Sequence, residues 1–249
     1  MTLPRTLLAS SLTAALALAA CVDDNADSGL TILHIVKPED GCVFGVATGS
    51  YLPAGVIQVD SPQGYVMAPE VRNDLALADG EAATPKTVFL TGAKVDLSFY
   101  DETLFTAAEQ AEMQTSGETR YQIPLSGSVD PNHGLNVLPF EVLSLSFIRA
   151  VGARLPAPTE ADPLPKTVVN VQFRMTGVRG GSSLESNVFN YPITICSNCV
   201  RHFVGACADL NQTFVAAPGG ACGPLQDGAL DCCDDNGTLV CPAERPTQQ

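Results

Sequence analysis

Apolar and polar residues alternate along much of this chain with a period of two, the spacing of a half-buried β-strand. Val169, Val171, Phe173 and Met175 fall on one face of the run from Thr167 to Met175. The second half of the run from Thr87 to Phe99 alternates in the same way. Leu30 to Val36 is a nearly continuous apolar strand, and Val188 to Ile195 is a last strand that runs straight into Cys196. Gly55 to Asp60 and Gly64 to Met67 read as two more strands, separated by Ser61-Pro62-Gln63. Short strands punctuated by Gly, Pro, Asn and Asp, without long intervening helices, predict a mainly β fold. The expected form is an antiparallel, immunoglobulin-like β-sandwich over residues 30–195.

Two segments carry a helical signal. Thr106 to Gln114 has helix formers and an acidic start, but its polarity suggests only a short surface turn. In Pro139 to Leu155, the residues Phe140, Leu143, Phe147, Ala150, Val151 and Arg154 lie near one stripe at three- and four-residue steps, although Leu143, Leu145 and Phe147 also suit a strand. The four prolines between Leu155 and Lys166 make that stretch a surface connection.

The N-terminal pattern is of another kind. Residues 1–20 carry a single charge, Arg5, and an apolar run from Leu7 to Ala20, and Leu18-Ala19-Ala20 lead into Cys21. This is a signal peptide with a lipobox, cut before Cys21 so that the cysteine can be acylated, with palmitate-type chains included. The run is too short for a dependable membrane span, which needs about 20 apolar residues. Several acyl chains hold a protein far more firmly than the marginal binding of one. Residues 21–29 then form the acylated cysteine and a polar acidic tether. Val22, where retention at the inner membrane favours Asp, points to the outer membrane of a bacterial envelope.

Charge narrows the function further. Without residues 1–20 the chain has 12 basic and 27 acidic residues. That surface repels nucleic acid, and no basic cluster offsets the repulsion. It suits calcium or cationic partners, although a diffuse negative surface also serves solubility.

Apart from Cys21 there are eight cysteines: Cys42, Cys196, Cys199, Cys207, Cys222, Cys232, Cys233 and Cys241. An even number in an exported chain reads as four disulfides, and spacing cannot choose the connectivity. Seven of them lie in the tail, residues 196–249, so complete pairing requires Cys42 to reach into it. A tail of that size cannot build its own core and depends on such crosslinks. Cys196-Ser197-Asn198-Cys199 would suggest zinc in a reducing compartment, but export argues for a disulfide. Haem attachment fails because Val200 stands where histidine is needed.

Motifs for catalysis are absent from the sequence. There is no G-x-S-x-G elbow, H-E-x-x-H, P-loop or G-x-G-x-x-G. Gly177 to Ser182 reads as a tight hairpin rather than a phosphate loop. His34 reads as a core or edge residue of a strand and His133 as part of a turn, neither with a visible partner, and His202 is remote from both. Asp234, Asp235 and Asn236 gather oxygen ligands beside Gly237 as calcium loops do, but Cys232 and Ala243 stand where that loop needs Asp and Glu. No cofactor is implied.

The chain resembles the cysteine-rich lipoproteins of myxobacteria and their relatives. The residues that carry the likeness are the lipobox before Cys21, the early Cys42, Tyr65 to Leu75, Gly92 to Leu97, Thr176 to Ser182, Tyr191 to Cys199, and Gln226-Asp227-Gly228 ahead of Cys232-Cys233. The resemblance implies an exported, disulfide-bonded β protein and assigns no activity. The function expected is that of a non-enzymatic, lipid-anchored envelope protein with a structural, adhesive or scaffolding role, meeting the membrane through its lipid and a protein or polysaccharide partner. The alternative is a ligand-binding module for polysaccharide, peptide or calcium, and the third and weakest reading is an enzyme whose residues converge only in three dimensions. The absence of Trp and an aromatic content of 6% weaken the polysaccharide version, because sugars stack on aromatic rings.

Overall fold

The computed structural model describes residues 29–46, 49–100, 104–160, 164–211 and 213–244. The opening apolar run forms β1 (Leu30–Val36), followed by the short β2 (Tyr51–Leu52). β3 (Gly55–Gln58) and β4 (Tyr65–Met67) flank Ser61-Pro62-Gln63 as the sequence suggests, and β5 (Pro69–Asn73) comes next. β6 (Val88–Phe99) buries Val88 and Leu90, then changes parity and buries Ala93, Val95 and Leu97. Thr176 pairs with Gly92 and Gly177 with Leu90, so β6 carries one more residue than β10 at this point, and that β-bulge causes the change.

The first helical segment is a full helix rather than the expected surface turn: α1 (Ala107–Ser116). Thr106 accepts a hydrogen bond from the Glu109 N–H while the Glu109 carboxylate accepts one from the Thr106 N–H, and Gly117 closes the helix at φ 83°. β7 (Arg120–Val129), β8 (Gly134–Val137) and β9 (Phe140–Leu143) follow. The stripe from Phe140 to Arg154 is divided: its start is β9, and the helix α2 (Leu145–Gly152) begins only after Ser144, whose hydroxyl caps the Phe147 N–H. Ala150 and Arg154, placed on the apolar stripe by the sequence, are exposed.

β10 (Lys166–Arg179) and β11 (Ser182–Glu185) form the expected hairpin, with Gly180 and Gly181 in the left-handed region that their missing side chains allow. β12 (Phe189–Cys196) completes the large sheet. In the tail stand β13 (Arg201–Ala206), β14 (Leu230–Asp235) and β15 (Thr238–Val240).

One sheet has the order β2-β1-β5-β8 and a larger one β3-β12-β10-β6-β7 with β11 beside β10, while β13-β14-β15 and β4-β9 form two small sheets. The fold is mainly β, 47% strand against 12% helix among the described residues, and its sheets are curled half-barrels. Pairing is not purely antiparallel. β3 runs parallel to β12, and β13 to β14. In each pair the strands are distant in sequence, so no tight hairpin dictates their direction.

A single core takes Leu30, Ile35 and Val71 from the first sheet and Val169, Phe173 and Ile193 from the second. Among its described residues the tail has two small clusters, one around Val200, Leu225 and Leu230 and one around Cys207, Leu210 and Cys233.

Candidate functional site

The eight tail and body cysteines form Cys42–Cys222, Cys196–Cys199, Cys207–Cys233 and Cys232–Cys241. Cys42 thus reaches into the tail, as the odd number of cysteines there demands. Cys21 lies outside the described residues. Beside Cys222, the segment Leu225-Gln226-Asp227 adds to the edge of the large sheet. The Gln58 N–H donates to the Leu225 carbonyl (3.0 Å) and the Asp227 N–H to the Val56 carbonyl (3.0 Å). Gln226 reads the backbone of Val66 in both directions, accepting from its N–H (3.1 Å) and donating to its carbonyl (2.6 Å).

Asp227 is the hub of this clasp. Its carboxylate accepts from the Val56 N–H (2.7 Å) and from the Tyr65 hydroxyl (2.7 Å), and the Tyr65 and Tyr191 hydroxyls lie 3.1 Å apart. Gly55 makes room: a side-chain carbon there would come within 2.6 Å of the Tyr65 ring. Burial raises the Asp227 pKa above its ordinary value against the pull of its hydrogen bonds. Burial likewise pushes up Tyr65 and Tyr191, with Asp227's charge adding to both. Tyrosine hydroxyls beside a carboxylate could in principle move a proton, but Tyr65 and Tyr191 are sealed in the core and bonded to each other. The cluster holds the tail to the body.

The three histidines each meet a carboxylate that the sequence does not reveal. His34 on β1 faces Glu70 on β5 (3.3 Å), His133 faces Asp74 (3.0 Å), and His202 on β13 faces Asp231 on β14 (2.9 Å). Burial lowers the His34 pKa, with Glu70 pulling it the other way. His133 sits in the expected turn, at φ 61°. The three pairs occupy separate places in the fold and assemble no common site.

Asp234 and Asp235 end β14, and Asn236 and Gly237, both at positive φ, make the turn into β15. Asp234 accepts from the Gly237 N–H (2.7 Å), and Asn236 donates to Asp235 (3.1 Å). This is the bonding of a hairpin turn. Among the described residues no group of three or more His, Cys, Asp or Glu side chains is placed to hold a metal ion.

The main concavity of interest is a groove of about 500 Å³ where α2 and β9 meet the start of β7. Its walls are mostly apolar, formed by Val142, Phe147, Ala150 and the ring of Tyr121, with Glu118 and Glu141 at the rim. The Tyr121 hydroxyl donates to the Val142 carbonyl, tying β7 to β9. Burial, and then the charge of Glu141, pushes the Tyr121 pKa up. A second hollow of about 290 Å³ shares Glu118 and Ala150 with the first and continues between α1 and α2 past Glu112 and Met113. Arg154 lies there, bonded to Glu109 (2.6 Å) and set over the Phe105 ring at 5.5 Å. The Thr106 N–H and hydroxyl, together with Arg154, hold the Glu109 pKa down to about 2. No sequence motif marks this groove, because its residues come from four elements spread from Phe105 to Arg154. No family model matches the chain, and neither a curated protein nor a solved structure does.

Proposed function

We propose that this is a non-enzymatic protein of a bacterial envelope, anchored by lipid on Cys21, most simply in the outer membrane, where it serves as a structural, adhesive or scaffolding element. The observation that carries the reading is the cysteine pairing. Eight cysteines are consumed in four disulfides, which persist in oxidising compartments. The remaining Cys21 stands in the lipobox. The likeness to cysteine-rich myxobacterial lipoproteins points the same way, and the formal net charge of −14 argues against nucleic acid as a partner. The immunoglobulin-like sandwich is part of the proposal: the core shared by both sheets supports their packing face to face.

Intact-mass analysis and detergent partitioning test the anchor. The wild type should carry acyl chains, and Cys21→Ala should remain uncleaved or be released in soluble form. A wild type without acyl chains, and a variant that partitions like it, would overturn the reading. The second reading, a ligand-binding module, is favoured by the groove beside α2.

A further inference from the structure

The groove beside α2 has two properties that seldom serve the same ligand. Its floor is apolar: Phe147 and Met113 are buried beneath it, and Val142 and Ala150 complete it. Its rim is anionic. Glu112, Glu118 and Glu141 have no ion pair among the described residues, and the cation at hand, Arg154, is already engaged by Glu109 and Phe105. Gly64 leaves room for Glu141, since a side-chain carbon there would stand 2.7 Å from its carboxylate oxygen.

Consider what could fill such a space. An anion meets repulsion from the rim. A neutral apolar ligand covers the floor but brings no charge to the carboxylates, and a bare cation leaves the floor wet. Only a ligand that is both cationic and apolar satisfies rim and floor together. The two hollows lie side by side with Glu118 and Ala150 as their shared wall, so together they make an elongated surface along which the carboxylates are strung. An extended peptide suits that shape, because successive side chains point to opposite sides. Lysine or arginine side chains can then face the rim while alternate apolar side chains face the floor.

We infer that the groove between α1, α2 and β9 binds a basic, amphipathic peptide segment of a partner protein, with Glu112, Glu118 and Glu141 receiving its cationic side chains. The site does not depend on the anchor, so it stands or falls apart from the reading above.

The test is fluorescence anisotropy of the purified full chain with a labelled seven-residue peptide of alternating lysine and leucine. Binding should saturate and weaken as salt is raised, since rim pairs are screened. Glu118→Gln with Glu141→Gln should weaken it about tenfold, the effect of losing two exposed ion pairs. Ala150→Trp should weaken it at least about as much without changing any charge, because Ala150 lines both hollows and is exposed in the fold, so the larger side chain takes up their space. A control with the same loss of charge elsewhere, Glu160→Gln with Asp235→Asn, should leave binding unchanged. If the control weakens binding as much as the rim variant, the attraction belongs to the whole acidic surface and the inference is wrong. It is equally wrong if Ala150→Trp, with an unaltered circular dichroism spectrum, binds like the wild type, or if spermidine displaces the peptide at equal concentration.

Discussion

Asp227 shows how one residue can serve packing and still oppose stability. It lies in the left-handed region at φ 55° and takes hydrogen bonds from Val56 and Tyr65. Burial nevertheless raises its pKa above 3.8. A carboxyl that protonates more readily in the folded state than in the unfolded one adds its full stability below the unfolded pKa. That contribution is lost as pH rises through the folded value. Asp227→Asn does not titrate, so its stability relative to the wild type should improve between about pH 4 and about pH 7. Urea unfolding at both pH values measures the gap. Taking the difference removes background slopes such as that of Asp74. There burial pushes upward but is outweighed by the hydrogen bonds from Arg72, His133 and Thr31, which lower the pKa, so that stability is lost as pH falls. If the stability of Asp227→Asn relative to the wild type stays constant or falls toward neutrality, the assignment of Asp227 as a buried carboxyl hub is wrong.

Among the elements, α1 depends most visibly on its ends. It buries Met113 and little else, so the paired hydrogen bonds of Thr106 and Glu109 carry much of its order. Thr106→Ala should cost about 1 kcal/mol locally. Amide exchange in α1 should quicken about fivefold, while β10 keeps its protection. Equal acceleration in both would mean that α1 opens only with the whole fold. The strength of such caps explains what could be read in the sequence and what could not. β10 and β12 alternate strictly and were legible. β7 alternates too, through Tyr121, Ile123, Leu125 and Val129, but Pro124 and Gly127 disguise it. Pro124 is tolerated because β7 is the last strand of its sheet, where a missing N–H need not break a ladder. The division of 139–155 turned on Ser144, a capping residue hidden within an apolar run. The groove was illegible for a related reason: α1, α2, β7 and β9 bring together side chains that are neighbours only in three dimensions.

At the scale of the whole molecule, the clasp between Cys42 and Cys222 joins residues 180 positions apart. This link was legible from parity, although Cys222 as the partner was not. Closing so long a loop contributes about 4–5 kcal/mol in the chain-entropy model. Cys42→Ser should free one thiol, on Cys222, and loosen the Leu225-Gln226-Asp227 segment from the sheet edge more than it disturbs the half-barrels. Thiol counting with limited proteolysis of the tail checks both parts. A tail that stays as resistant as the wild type, with the thiol free, would show that the hydrogen bonds around Asp227 and Gln226 suffice.

The same crosslink decides how the molecule carries mechanical load. Tension applied between Leu30 and Cys241 runs through β1 to Cys42, crosses directly to Cys222, and leaves through the short link from Cys232 to Cys241. Residues 43–221 and 233–240 hang off that line, shunted out of it by covalent bonds. A pull on the chain ahead of β1 and beyond Cys241 would therefore stretch β1 and a short cord of sulfur and backbone. The larger half-barrel and the groove beside α2 would keep their shape beside it, unloaded, whereas β1 of the first sheet, ahead of Cys42, bears the pull.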